Sequence, residues 1–158
     1  MNDRRSLANA YAGGARAGDV LAETLAGIDA RDPVWIGLVP ERDVFSRARA
    51  LDACTSAERA RLPLFGVPFA VKDNIDVAGV PTTAGCPAFA YVPERSASVV
   101  ERLEAAGAIA VGKTNLDQFA TGWSEHVRPT VSRGTRSTRA TSRAVRVPVR
   151  LLRSRADS

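Results

Sequence analysis

The chain has 158 residues, with 22 basic and 17 acidic side chains and a net charge of +5. No stretch is apolar and long enough to span a bilayer, and no charged-then-apolar leader follows Met1, so we expect neither a membrane span nor a secretory signal and place the protein in the cytoplasm. Cys54 and Cys86 lack C-x-x-C spacing, which favours reduced thiols; no motif predicts a metal or a cofactor.

The first third of the chain contains two stretches with apolar residues at helical spacing. They are Val20, Leu21, Leu25 and Ile28 in the first stretch, and Val44, Ala48 and Leu51 in the second. Residues 34–38 lie between them and are either a short strand or an extended link. The sequence therefore predicts two amphipathic helices before the centre of the chain.

The centre of the chain begins with a strand and a turn. Residues 67–71 form an apolar run that predicts a buried strand ending at Lys72. Residues 79–81 mark a turn beyond it. Thr82 and Thr83 are expected to make turn hydrogen bonds, and the alternative is contact of their hydroxyls with a substrate.

A helix and a second strand follow. Residues 98–101 match the capping-box pattern and predict the start of a helix that Gly107 stops. Residues 108–111 predict the next strand, and Thr114 or Asn115 is expected to cap a further helix. The order strand, helix, strand predicts two parallel strands joined by a right-handed crossover, and thus an α/β fold.

Lys72 is the most informative single residue. A solvated lysine is a poor base at neutral pH, but burial among apolar groups disfavours its charged form. Phe69, Val71 and Ile75 surround Lys72 in the sequence and could provide such burial. These residues alone favour a surface lysine whose ammonium reaches water, and the motifs that follow favour a general base instead. Asp73 is expected on the opposite face of the strand and need not be its partner.

Several ordered motifs between residues 64 and 122 resemble the amidase signature family. They are V-K-D-N at residues 71–74, G-x-P-T-T-x-G at 79–85, R-L-x-A-A-G-A-I at 102–109, and G-K-T-N-x-x-x-F at 112–119. Residues 32–36 and 117–122 are similar to the allophanate hydrolase subgroup. The resemblance implies the N-terminal part of the amidase signature fold, a mixed sheet flanked by helices, which is incomplete here.

The resemblance also implies the chemistry. The family's catalytic set is a serine, a second serine in a cis peptide arrangement, and a lysine; only the lysine carries over, onto Lys72. The serines belong downstream of the G-K-T-N segment, where the resemblance ends. The implied reaction is hydrolysis of a small amide, for this subgroup allophanate to ammonia and carbon dioxide, without a cofactor. Whether this chain is itself an enzyme is left open, as is a homodimer of the intact enzyme.

Residues 123–158 differ in composition from residues 1–122. They hold nine arginines against Glu125 and Asp157, a net charge of +7, whereas residues 1–122 carry −2. Arg-rich sequence with few aromatic residues cannot bury much apolar surface, so we predict a portion of an amidase domain at 1–122 and a disordered tail at 123–158. His126, the only histidine, lies in this tail, which argues against a Ser-His-Asp hydrolase.

A frame-shift accounts for the tail. Loss of one base turns codons for a family-like Leu-Val-Gly-Thr-Arg into codons for residues 123–127. Codons for residues 142–152 contain, in the shifted frame, a Gly/Ser-rich peptide that resembles the family's serine loop. The favoured hypothesis is a truncated amidase-family chain that is inactive alone. The alternative is a non-enzymatic protein whose basic tail binds nucleic acid or anionic surfaces; the lack of aromatic residues after Trp123 argues against specific single-strand binding.

Overall fold

The computed structural model describes residues 4–120 of the chain. Five α-helices and three strands occur in this part. The helices are α1 (Arg4–Ala12), α2 (Ala17–Ala26), α3 (Glu41–Asp52), α4 (Ser56–Arg59) and α5 (Ser98–Ala105), and the strands are β1 (Trp35–Leu38), β2 (Pro68–Lys72) and β3 (Ile109–Thr114). Single turns of 3-10 helix lie at Pro87–Phe89 and Gln118–Ala120.

The three strands form one mixed sheet in the order β1-β3-β2. β2 runs parallel to β3, with Lys72 opposite Thr114, and β1 runs antiparallel to β3, with Trp35 opposite Thr114. Parallel neighbours need a crossover connection, and α5 lies within the one that joins β2 to β3. The predicted α/β fold with parallel strands at residues 67–72 and 108–111 is therefore confirmed, and residues 34–38 contain a strand.

Both faces of the sheet are covered by apolar groups. On one face Ile109 and Val111 pack with α2 and α3, through residues that include Leu21, Val44, Ala48 and Leu51. On the other face Val71 and Ala110 pack with Val100 of α5 and with residues 77–80. Side chains of β3 alternate between the two layers, as a strand requires. The two helices predicted from apolar spacing are confirmed and turn those residues inward.

Asp52, the last residue of α3, closes the N-terminus of α2. Its Oδ1 accepts a hydrogen bond from the Ala17 N–H at 2.7 Å and its Oδ2 accepts one from the Gly18 N–H at 3.1 Å. Arg16, at the N-cap position, makes no side-chain cap. A carboxylate from another helix thus satisfies two free N–H groups at the positive end of the α2 dipole.

Replacing Asp52 with alanine should lower the free energy of unfolding by about 1–2 kcal/mol, because those two N–H groups lose their acceptor. Urea unfolding followed by circular dichroism measures the change. Arg16→Ala is the control: its guanidinium lies 3.7 Å from Asp52 but is exposed, so its loss should change stability by about 0.5 kcal/mol or less. Equal effects of the two variants would mean that the ion pair, not the cap, holds α2.

The capping box predicted at residues 98–101 is wrong. The N-cap of α5 is Ala97, and no side chain caps this helix. The Ala97 N–H donates to the Asp76 carbonyl at 3.0 Å, and Glu101 pairs with Arg95 at 3.3 Å instead of reaching back to the cap. The start of α5 is therefore fixed by a backbone contact with the preceding turn. Gly107, with φ of 97°, follows the end of α5 and stops this helix as predicted.

The helix expected after β3 is absent from the described part of the chain. Thr114 still belongs to β3, and the Asn115 side chain bridges two loops: its Oδ1 accepts from the Leu116 N–H at 2.8 Å and its Nδ2 donates to the Pro33 carbonyl at 3.0 Å. Up to residue 120, only a 3-10 turn follows, at Gln118–Ala120. The amide that was predicted to cap a helix thus ties the end of β3 to the loop before β1.

β2 is less buried than predicted. Val71 is its one buried residue, since β2 has β3 on one side and no strand on the other among residues 4–120.

No helix among residues 4–120 is long and apolar enough to cross a bilayer. Cys54 and Cys86 are both free thiols, as predicted.

Candidate functional site

Both lysines of the chain lie at one edge of the sheet. Lys72 is the last residue of β2, and Lys113 is the second-to-last residue of β3, which runs parallel to it. These two are the only lysines among the 22 basic side chains of the sequence. Ligands in open α/β sheets bind outside the carboxyl ends of parallel strands. The edge that carries both lysines is therefore the candidate site.

The side chain of Lys72 is exposed. Phe69, Val71 and Ile75 pack together in the apolar cluster beside α5. Because side chains alternate along a strand, Lys72 leaves the sheet on the side opposite Val71. The sequence suggested that these three residues bury Lys72. In the described part of the chain this is wrong, because the three residues cover the other face of the sheet.

Asp73 is fully buried, and its partner is Lys113. The Asp73 Oδ1 atom lies 3.2 Å from the Lys113 Nζ, and the two side chains are 0% and 1% exposed. Its Oδ2 accepts hydrogen bonds from the Thr83 backbone N–H, at 3.0 Å, and from the Thr83 hydroxyl. The carboxylate thus joins the end of β2 to both the end of β3 and the following turn.

Lys113 has an oxygen neighbour for each of its N–H donors. Its Nζ lies 3.2 Å from Asp73 Oδ1, 2.9 Å from Thr82 Oγ1 and 3.4 Å from the Pro81 carbonyl oxygen. An ammonium has three donors: the hydrogen bonds to Thr82 and Pro81 use two of them, and the contact with Asp73 is an ion pair whose Oδ1 has no hydrogen-bond partner among the described contacts.

The turn hydrogen bonding predicted for Thr83 is confirmed, since its hydroxyl accepts from the Gly85 N–H at 3.2 Å. The Thr82 hydroxyl instead accepts from Lys113, and both hydroxyls belong to the buried ion-pair network.

A shift in strand register brings Lys113 to this network. Ile109 and Val111 face the layer formed by α2 and α3, and strict alternation would place Lys113 with them. The pairing with β2 shifts by one residue midway along the strand, so that Lys113 stands opposite Val71. Lys113 consequently meets Asp73 on the side of α5 and does not enter the layer formed by α2 and α3.

The turn beside this network has an unusual backbone. Ala84 has φ of 51°, in the left-handed region, where a residue with a Cβ is strained by roughly 1–3 kcal/mol. Its N–H donates to the Asp73 carbonyl at 3.3 Å, and its own carbonyl accepts from the Phe119 N–H at 2.8 Å. The turn is therefore held between the end of β2 and the segment that follows β3, and the strain lies next to the buried pair.

Tyr91 closes the outer side of the turn. It pairs with Thr82 through two backbone hydrogen bonds, of 2.9 and 3.1 Å. Its hydroxyl donates to Asp76 Oδ1 at 2.8 Å, and this hydrogen bond is the main cause of a raised pKa of Tyr91. Its ring packs edge-on against Phe89, which packs in the same way against Phe119, with ring centroids 5.6 and 5.3 Å apart. All three rings are 43–50% exposed, so an aromatic surface adjoins the site.

A family model described as amidase matches residues 19–142. The chain belongs to the amidase signature family. The resemblance inferred from the motifs at residues 64–122 is thereby confirmed, and so is the fold class, a mixed sheet with helices that forms only part of the amidase fold.

Proteins similar to this chain include a urea amidolyase, an allophanate hydrolase and a peptide amidase. Urea amidolyase of Saccharomyces cerevisiae is 56% identical over 91 residues, 58% of this chain and 5% of its own length. The solved structure of Kluyveromyces lactis allophanate hydrolase has a TM-score of 0.64 and 46% identity, and the match covers 72% of this chain and 19% of that one. The peptide amidase of Stenotrophomonas maltophilia has a TM-score of 0.66 but only 31% identity, over 79% of this chain and 28% of that one.

The chain spans at most 28% of the length of these three amidases. The match at residues 19–142 runs past residue 122, so the boundary at 122 and the disordered tail at 123–158 stay predictions. The tail, with His126 and the codons that the frame-shift hypothesis concerns, lies outside the described residues. These comparisons give no support to the alternative of a nucleic-acid-binding protein.

The pair of Asp73 and Lys113 is the part of the site that the motif analysis missed. Lys113 occurs in the G-K-T-N segment, which served to recognise the amidase family, but no role was assigned to it. Composition does contain a signal, because an arginine-rich chain has lysine only at positions 72 and 113. Within residues 4–120 no group of three side chains could hold a metal ion.

Proposed function

We propose that Lys72 is the general base of a C–N hydrolase of the allophanate hydrolase type, and that this chain carries the lysine-bearing part of its active site. The observation that carries the proposal is the position of Lys72: it ends β2 at the ligand-binding edge of a parallel strand pair, with its amine accessible. The likeness to urea amidolyase and to allophanate hydrolase supports allophanate as the substrate.

The proposed reaction is acyl transfer to a serine. The neutral amine of Lys72 takes a proton from the nucleophilic serine through a bridging serine, and the serine oxygen attacks the carbonyl carbon. The C–N bond breaks as a proton passes to the leaving nitrogen, and water then hydrolyses the acyl-enzyme. For allophanate this first C–N cleavage releases ammonia, and hydrolysis of the acyl-enzyme frees an N-carboxycarbamate. That product loses carbon dioxide to give carbamate, which breaks down to a second ammonia and a second carbon dioxide. The resemblance supplies both serines, and it places them downstream of residue 115.

The exposure of Lys72 fits a base that must meet groups from the rest of an amidase domain. A lysine buried within residues 4–120 could not contact serines that lie outside them. The second edge of β2, which has no strand neighbour in this part, leaves room for further structure beside the lysine. We therefore propose that the lysine becomes enclosed when the remaining domain is present. The proposed partner is a small-molecule amide, and the proposed location is the cytoplasm.

A chimera tests this function. Residues 19–120 would replace the matching segment of K. lactis allophanate hydrolase, and ammonia release from allophanate would be measured. The chimera should be active, and its Lys72→Ala variant should lose about 10²–10⁴-fold in kcat/KM, the usual contribution of a general base.

Arg95→Ala is the matched control for this experiment. Arg95 is an exposed cation paired only with Glu101 in the described contacts, and its loss should leave the turnover of the chimera unchanged. A folded Lys72→Ala chimera that keeps full activity would exclude Lys72 as the base. A circular dichroism spectrum identical to that of the parent chimera establishes folding.

A further inference from the structure

The lysine at position 113 is informative because, apart from Lys72, all other basic side chains of this sequence are arginines. An ammonium is a compact charge with three donors, whereas a guanidinium is a planar fork with five. The three oxygens around Lys113 Nζ, from Asp73, Thr82 and Pro81, match the smaller group. A guanidinium would have to fit a larger, planar group with five donors into a place where the Lys113 side chain is 1% exposed.

Stability alone is a poor reason for the pair. Removing two charges from water is costly, and replacing a buried ion pair with apolar residues is often neutral or stabilising. The pair instead joins three separate segments: the end of β2 at Asp73, the turn at residues 81–83 and the end of β3 at Lys113. These three segments meet at Asp73, the residue that follows Lys72 in the chain.

We propose that Asp73 and Lys113 are positioning residues that hold the Lys72 amine on one side of the sheet for catalysis. The proposal rests on the proposed function of Lys72 as the base. Asp73 is the next residue in the chain, so turning its side chain inward directs that of Lys72 outward.

Two backbone contacts complete this arrangement. The Asp73 N–H donates to the Thr114 carbonyl at 3.0 Å, and the Asp73 carbonyl accepts from the Ala84 N–H at 3.3 Å. The residue on the C-terminal side of Lys72 is therefore fixed by its side chain and by its main chain. Loss of the Lys113 charge would leave a buried carboxylate without its cation, which favours opening of this corner.

The small number of lysines makes the test direct. The full 158-residue chain, labelled with ¹³C,¹⁵N-lysine, gives side-chain signals from Lys72 and Lys113 only. Lys72→Met and Lys113→Met each remove one signal and so assign both. Two readouts follow: ¹³C relaxation at the Lys72 Cβ, which reports how firmly this side chain is held, and hydrogen exchange at the Asp73 and Thr83 amides.

In the parent chain, the Lys113 ammonium should show slow hydrogen exchange, and the Lys72 Cβ should be as rigid as the sheet. In Lys113→Met, the Lys72 Cβ should become mobile and both amides should exchange at least about tenfold faster. The double variant Asp73→Asn/Lys113→Met has no unpaired buried charge, so its thermal midpoint should return towards that of the parent. Lys72 should nevertheless stay mobile in it.

A purely structural pair predicts a different outcome, in which the order of Lys72 returns together with the thermal midpoint in the double variant. That result, or unchanged Lys72 signals in a folded Lys113→Met chain, would overturn the proposal. Arg95→Met/Glu101→Gln, which removes an exposed ion pair of 3.3 Å, is the control and should leave all readouts unchanged. Failure of Lys72 as the base shows in the activity of the chimera, and failure of the positioning role shows in these spectra, so the two are distinguishable.

Discussion

The 158-residue chain alone should release ammonia from allophanate no faster than its own Lys72→Ala variant. The resemblance to amidases assigns it the base and neither serine, and a base without its nucleophile cannot form an acyl-enzyme. In a serine hydrolase, loss of the nucleophile lowers kcat by about 10⁶-fold. A coupled assay of ammonia on the purified chain and on the variant measures the difference.

Turnover by the purified chain that Lys72→Ala abolishes would contradict this expectation and would place a nucleophile within residues 1–158. The positive control is the active chimera, which shows that the same lysine works when the serines are present. Resequencing the DNA around codon 123 gives an independent check, because the frame-shift hypothesis requires that one restored base opens a frame encoding the Gly/Ser-rich loop.

Apolar spacing predicted the elements that lie directly on the sheet. Residues 20–28 and 44–51 show this spacing; α2 and α3 contain the spaced apolar residues except for Ile28, which lies just past the end of α2, and the apolar residues of both helices cover one face. The helix α1 was not predicted because the contacts of Tyr11 that attach it are distant in sequence. The Tyr11 hydroxyl donates to the Gly66 carbonyl at 2.8 Å, and its ring packs edge-on against Phe65. Neither contact leaves a periodic pattern in residues 4–12.

The site was predicted only in part, for a similar reason. Motif resemblance selects Lys72 as the candidate base, since the V-K-D-N segment is contiguous. Its surroundings depend on a one-residue shift in the pairing of β3, which turns Lys113 away from Ile109 and Val111. Strict alternation along the sequence would place Lys113 in the apolar layer formed by α2 and α3. The buried pair with Asp73 becomes visible only when the register is known.

Gly107 connects α5 to β3, and its surroundings explain why the predicted helix stop is also a packing requirement. Its φ of 97° is accessible mainly to glycine. A Cβ at this position would lie 3.0 Å from both the Leu62 Cβ and the Phe65 Cα. The Gly107 carbonyl also accepts a hydrogen bond from the Gly66 N–H at 2.9 Å. The backbone at 62–66 therefore sits directly against this glycine.

Gly107→Ala should lower the free energy of unfolding by about 3 kcal/mol, from backbone strain of roughly 1–2 kcal/mol and overpacking of roughly 1–2 kcal/mol. Gly14→Ala is the matched control, because Gly14 has φ of 88° and no heavy atom within 4 Å of the position of its Cβ. It should show only the strain, about 1–2 kcal/mol. Urea unfolding of both variants separates the two contributions. Equal losses would mean that Leu62 and Phe65 move aside freely, and then the α5–β3 connection would not fix the start of the strand that carries Lys113.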